Sequence, residues 1–324
     1  MTNYRTLDLE TGGKVGGLET GFGLEPWRVR HGTAHITSLA YTGPDREYQI
    51  EYPNREQLIS ALEALKGQEV WTWNGVFDVA WLIASIEPNK MGSIPQCILD
   101  IRWRDAMLLA KWCTNGQLAD DSNFSYALVN CAATWLPDHP ALAEFVKMKS
   151  NVDMDTTSDY WLRRGLLDCE FTALLAEFLW SKLPIDCYSG FIIEQRNIPT
   201  IANSWLIGIK VNKDKLALAS DKLVAKAAKM SSDMGIALPV ISSPKQLGNL
   251  LYNVWGLPII AKTPTGSPST ASDTLKLLAY QTNDPRMKFI TEIKETQTLI
   301  SKYVKTTYEA LSRTTDGFLY GAPR

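Results

Sequence analysis

Apolar and polar positions alternate over residues 4–9 as they do in a strand. Leu7 and Leu9 share one face, while Asp8 and Glu10 share the other. Two more alternating runs, 34–41 and 48–52, predict strands joined by a turn at Gly43-Pro44-Asp45. Residues 55–66 change to helical spacing, 69–73 read as a short strand, and a helix is expected over 77–84. A strand over 97–103 and helices over 105–113, 123–135, 140–147 and 158–182 complete the first half. The stretch 12–32 holds Gly12, Gly13, Gly16, Gly17, Gly21 and Gly23 and predicts a flexible rim. It fits neither a phosphate loop nor a dinucleotide fingerprint. Three early strands, then strands mixed with helices, imply an α/β fold with a mixed sheet flanked by helices.

Beyond Leu183-Pro184-Ile185-Asp186 the pattern is almost wholly helical: 187–206, 213–235, 244–254, 270–280 and 285–312. In the last of these, Phe289, Ile293, Leu299 and Ile300 form an apolar stripe. A polar loop from Lys262 to Thr270, punctuated by Pro and Gly, ends in a Ser/Thr cap for the next helix. A domain boundary is expected near 184–190, separating residues 1–186 from 187–324. Charge sharpens this division. The net charge of −2 conceals 16 Lys+Arg against 25 Asp+Glu in residues 1–187, and 17 against 10 in 188–324. An acidic half suits metal binding and a basic half suits phosphate binding. Five scattered cysteines without C-x-x-C spacing read as thiols of a reducing compartment, and three histidines make a His-ligated zinc site an unsuitable reading. Asp8 and Glu10 interrupt any signal-peptide pattern, and no run of 18 apolar residues predicts a membrane span.

Candidate chemistry begins at Asp8 and Glu10. Neighbouring carboxylates raise each other's pKa unless a cation lies between them, and oxygen ligands favour a hard ion, Mg²⁺ or Mn²⁺. Asp78 falls where a strand gives way to a helix, and Asp168 lies inside a helix, a disfavoured place for Asp. Taken singly, these are a solvated strand end, a charge at a helix N-terminus and an exposed helical Asp. Asp105 reads likewise as a helix N-terminal charge or as support for the acids.

The order of these residues resembles the proofreading 3′–5′ exonuclease domain of family A DNA polymerases: Asp8-Leu9-Glu10, then Asn74 to Phe77-Asp78, then Asp168. The second half is similar to the thumb of such a polymerase in Ser243-Pro244-Lys245-Gln246-Leu247-Gly248, Gly256-Leu257-Pro258, Lys262 to Gly266 and Pro268-Ser269-Thr270. Ser301-Lys302-Tyr303 and Asp316-Gly317 match what precedes the palm. The resemblance implies a ribonuclease-H-like exonuclease domain (1–186) followed by an all-α thumb portion (187–324), with palm and fingers missing. It implies that Asp8, Glu10, Asp78 and Asp168 hold two Mg²⁺ or Mn²⁺ ions and release nucleoside monophosphates from a single-stranded 3′ end. Where the family has Tyr, four residues before the last Asp, this chain has Arg164. Asn74 and Phe77 are the implied contacts to the 3′ end. Lys262, Thr265, Ser269, Thr270 and Lys302 are those to primer-template DNA. The resemblance further implies a truncated or split polymerase with a separate palm-and-fingers polypeptide as partner, a bacteriophage-type source and a cytoplasmic setting without membrane. The alternative is a catalytically weakened DNA-binding, scaffolding half.

Overall fold

The computed structural model describes residues 3–15, 18–20, 25–90, 92–114, 125–150, 158–314 and 316–321. Two compact units divide the chain: residues 1–208 with 320–324, and residues 209–319.

In the first unit, β1 (Thr6–Val15), β2 (Leu18–Thr20), β3 (Ala34–Thr42) and β4 (Glu47–Glu51) form an antiparallel set, with a 3₁₀ helix at Pro26–His31. Then come α1 (Arg55–Glu63), β5 (Glu69–Thr72), α2 (Gly75–Ile86), α3 (Gln96–Leu99) and β6 (Arg102–Asp105). Helices α4 (Ala106–Cys113), α5 (Leu128–Trp135), α6 (Leu142–Ser150), α7 (Ser158–Trp180), α8 (Tyr188–Arg196) and α9 (Ile198–Ile207) follow. Among the described residues the strands form a mixed sheet in the order β4-β3-β1-β5-β6, with β2 on β1. The β1–β5 and β5–β6 pairs are parallel. The expected mixed sheet with flanking helices is therefore present.

The alternation in β1 sets the layers. Leu7 and Leu9 enter a core with Leu39, Leu58, Leu62 and Trp81. On the opposite face Trp71 packs with Leu109, Cys131, Phe171 and Leu175. Removing such side chains from water, at about 25 cal/mol per Å² of apolar surface, drives the three-layer arrangement.

Three details of the first unit differ from the sequence reading. Gly12 and Gly13 belong to β1, paired with His35 and Ala34, rather than to a loop. A Cβ on Gly13 would meet the Thr33 carbonyl oxygen at 2.4 Å, so glycine there allows the neighbouring strand's close approach. Gly16, Gly17, Gly21, Gly23 and the first residues of the helix expected at 123–135 lie outside the described residues. Residues 97–103 are not one strand: Pro95 caps the short α3, and β6 starts at Arg102. Ile98 and Ile101, three apart, both enter the core, which is helical spacing. Finally, the first compact unit runs to Gly208 rather than ending near 184–190. The chain turns from α8 to α9 at Asn197, with Pro199 in the first turn of α9, and Ile198, Ala202, Trp205 and Leu206 extend the core against α2.

The second unit holds β7 (Ile209–Lys210), α10 (Lys213–Met234), α11 (Leu238–Ser242), α12 (Pro244–Gly248), α13 (Ser272–Thr282), α14 (Pro285–Leu299), α15 (Thr306–Ser312) and β8 (Phe318–Leu319). Helix α12 widens into a π-helical turn at Asn249–Val254, and another at Ile300–Lys305 joins α14 to α15. Met230, Ile241, Leu247, Leu251, Leu275, Ile290 and Ile293 form its core. On α14 the buried stripe is Met287, Ile290, Ile293 and Thr296, whereas Phe289 and Leu299 are exposed. Among the described residues, no helix is long and apolar enough to cross a membrane.

Candidate metal centre

The face of β1 opposite Leu7 and Leu9 carries Asp8 and Glu10 toward α7. Helix α7 comes close because residue 165 is Gly: a Cβ there would lie 3.1 Å from Ala40 Cβ and 3.9 Å from Asp8 Oδ2. Asp168, one turn further along α7, joins them. Asp8, Glu10 and Asp168 each offer a carboxylate oxygen, and these lie within 4.8 Å of one another. Immediately after Glu10 the β1–β3 register shifts, leaving Thr37 without a ladder partner. Such a bulge bends the strand and re-aims the side chains beside it.

Asp78 stands next to this group but is not one of the three. It is buried on α2, where its carboxylate accepts from the Leu9 N–H and from its own backbone N–H. Burial, with the charges of Asp105 and then Asp168 adding to it, holds the Asp78 carboxyl well above the ordinary carboxylate range. Asp78 thus secures the strand residue between Asp8 and Glu10.

Asp105 proves to be the organiser of the turn before α2. Its Oδ1 accepts from the Asn74 and Leu108 N–H groups and its Oδ2 from the Gly75 N–H, each at 3.1 Å. The Leu108 bond makes it the N-cap of α4. Its own N–H donates to buried Gln195 of α8. Burial raises the Asp105 pKa, and these backbone donors oppose the rise. The clamp holds Asn74 in the left-handed region at φ 66° and ψ 51°, a conformation that Asn tolerates better than most residues.

Asp8, Glu10, Asn74, Phe77, Arg164 and Asp168 all line one cleft of about 650 Å³. Lys111 and Tyr126 also line it, with the Lys111 ammonium 5.7 Å from the Tyr126 ring centroid. Sequence reasoning passed over both. The available signal was Lys111 as the one charged residue in the otherwise apolar run Ala106–Cys113.

Arg164 points into the carboxylates. Its Nε lies 3.1 Å from Glu10 Oε1 and 3.8 Å from Asp168 Oδ2, and its guanidinium carbon is 5.0 Å from the Trp161 ring centroid. Nε and Nη1 are buried without a hydrogen bond.

In the second unit Lys262, Thr265 and Lys302 are exposed. Ser269 and Thr270 are buried. The Ser269 hydroxyl is engaged with Thr274 Oγ1 at 3.0 Å and accepts from the Ala271 N–H at 3.3 Å, which orders the start of α13. These two residues are turned into the fold, away from the surface expected for them.

Fold and site together define an α/β unit with a carboxylate-lined cleft, followed by a helical unit. Comparison with known proteins narrows this class. The chain is homologous over part of its length to DNA polymerase I. It is 35% identical to the Pseudomonas aeruginosa protein over 120 residues, covering 35% of this chain and 13% of that protein. It is 30% identical to the Rhizobium leguminosarum protein over 139 residues, covering 38% of this chain and 14% of that protein. The matches thus span a small fraction of these relatives. The solved POL domain of Pol1 from M. smegmatis, in complex with DNA primer-template and dNTP, superposes with a TM-score of 0.63. The match covers 89% of this chain and 46% of that one at 19% identity, a likeness of fold. No family model matches the chain.

Proposed function

We propose that the chain is the 3′–5′ exonuclease and thumb portion of a family A-type DNA polymerase, and that its first unit removes nucleoside monophosphates from a single-stranded 3′ end. The observation that carries this reading is the convergence of Asp8, Glu10 and Asp168 within 4.8 Å in a cleft that also holds Asn74 and Phe77. The partial similarity to DNA polymerase I supports the wider context.

The donor set fits a hard divalent ion: carboxylate oxygens from two elements, close enough to share one charge. Asp8, Glu10 and Asp168 would hold Mg²⁺ or Mn²⁺, with Asp78 as the adjoining fourth carboxylate. When bound, a pair of such ions activates water and stabilises the attacking and leaving oxygens of a phosphodiester. The chain's own residues do the positioning. Asp78 fixes Leu9, and with it the aim of Asp8 and Glu10. Asp105 fixes the backbone at Asn74, so that Asn74 and Phe77 present a polar and an apolar surface to the terminal nucleotide. Lys111 supplies a cation to phosphate, and Arg164 a second one where charge develops. In the second unit Lys262, Thr265 and Lys302 lie on the surface and are assigned to duplex phosphates. The primer-template named for the solved POL domain supports a DNA partner. Nucleotide incorporation is assigned to a palm and fingers outside this sequence.

A second reading, a scaffolding half with a weakened nuclease, is favoured by one observation: Arg164 already pairs with Glu10 at 3.1 Å. One assay separates the two. The purified chain is incubated with Mn²⁺ and a 3′-labelled single strand, and monophosphate release is followed. Release by the wild type that is lost in Asp8→Ala and Asp168→Ala is expected. Full activity in the double variant Asp8→Ala/Glu10→Ala would refute the exonuclease assignment, and no release by the wild type would leave the scaffold.

A further inference from the structure

We propose that Arg164 is the resident countercation of the carboxylate cluster: it stands where a divalent ion would stand and must leave before one binds. The inference rests on the metal-binding part of the function proposed above and adds a regulatory element to it. Three acids drawn within 4.8 Å by the β1–α7 packing repel one another unless a positive charge joins them. The Arg164 guanidinium meets that need, with Nε 3.1 Å from Glu10 and 3.8 Å from Asp168. Arg remains protonated throughout the working pH range, so this cation cannot be removed by deprotonation; it can only move.

One feature makes the contact exchangeable: Nε and Nη1 make no hydrogen bond despite their burial, so the pair lacks the bidentate geometry of a strong Arg–carboxylate fork. Trp161, one turn back on α7 with its ring 5.0 Å from the guanidinium carbon, steadies the cation in this resident position. A divalent ion satisfies three carboxylates with two charges, against one charge from arginine. Arg164 therefore keeps the site assembled without metal and raises the ion concentration needed to load it. Once displaced, its five donors are free to meet a phosphate.

The test uses the full chain and Mn²⁺ alone, without DNA. Binding is measured from the electron spin resonance signal of free Mn²⁺, and melting is followed in EDTA and in Mn²⁺. Arg164→Gln is expected to bind Mn²⁺ about tenfold tighter than wild type, the effect of deleting one unit charge a few ångströms away in a solvent-softened site. It is also expected to melt lower than wild type in EDTA and to gain more from Mn²⁺. Equal or weaker Mn²⁺ binding by Arg164→Gln overturns the proposal. Folding of Arg164→Gln only in the presence of Mn²⁺ supports it. Should that variant fold in neither condition, Arg164→Met replaces it: the variant with this uncharged side chain of similar length should bind Mn²⁺ more tightly than wild type, and equality overturns the proposal. Tighter Mn²⁺ binding by Arg164→Gln, with no DNA hydrolysis by the wild type, would uphold this inference while removing the exonuclease reading.

Discussion

Replacing Asp105 by Ala removes one carboxylate on which three backbone donors converge. Asn74, Gly75 and Leu108 each donate to it at 3.1 Å. The site is buried, so water does not simply take the carboxylate's place. Losing a helix N-cap costs about 1 kcal/mol, and each buried donor left unmet costs roughly 1–3 kcal/mol. With Leu108 as the cap and Asn74 and Gly75 as the unmet donors, the loss starts at about 3 kcal/mol. Removing a buried charge whose pKa is raised acts in the opposite direction, which holds the expected value at that lower end. Asp105→Asn keeps one oxygen able to accept and should cost only about 1 kcal/mol. The damage should also be local: the left-handed Asn74 is maintained by these bonds, so residues 73–76 should lose hydrogen-exchange protection before the rest of the sheet does. Denaturant unfolding followed by circular dichroism gives the stability, and exchange read by mass spectrometry gives the location. An Asp105→Ala protein within about 0.5 kcal/mol of wild type, with unchanged protection at 73–76, would refute the clamp.

Gly165→Val should destabilise the first unit by about 1–3 kcal/mol, because the added atoms press on Ala40 and force α7 from the sheet. Mn²⁺ binding should weaken with it, and melting and Mn²⁺ titration that both match wild type would contradict the packing argument. The raised pKa of Asp78 fixes the sign of a pH effect: the folded state holds its proton to higher pH than the unfolded chain, so this group's contribution is full at low pH and is lost as pH rises through the folded value. In EDTA, Asp78→Asn should therefore gain stability relative to wild type as pH rises above about 4, and a difference independent of pH would count against a buried acid. Duplex DNA binding by the full chain should fall steeply between roughly 50 and 200 mM salt, and Lys262→Ala and Lys302→Ala should each reduce the logarithmic slope by about one. Unchanged slopes in both variants would place the DNA surface elsewhere.

The candidate centre was legible where a local period carries the information. Alternation in β1 separated Leu7 and Leu9 from Asp8 and Glu10, and Asp168 was conspicuous as an acid inside a helix. What remained hidden depends on partners distant in sequence. Gly12 and Gly13 look like loop residues until β3 lies beside them, since pairing with Ala34 and His35 and not propensity makes them strand. Asp105 read as one more helix-start charge because its bonds reach back to Asn74 and Gly75 across a parallel crossover. Ser269 and Thr270 were assigned to DNA from the thumb-like motif around Pro268, whereas their burial is decided by how α12 and α13 pack. Arg164 was flagged by its spacing from Asp168, but its pairing with Glu10 required the sheet.

The chain leaves the first unit at Gly208 and returns to it at Tyr320, whose ring stacks on Trp27 with centroids 4.9 Å apart. The entry and exit of the second unit are themselves strand partners, Ile209 with Leu319 and Lys210 with Phe318. The two ends of the helical unit thus meet at a two-residue strand pair. During synthesis on the ribosome the sheet can form early, yet the face of Trp27 waits uncovered until residue 320 has been made. Units whose ends meet can be altered in length with little strain on the neighbouring unit. The helices of 209–319 are thus free to diverge at a different pace from the carboxylates of β1 and α7.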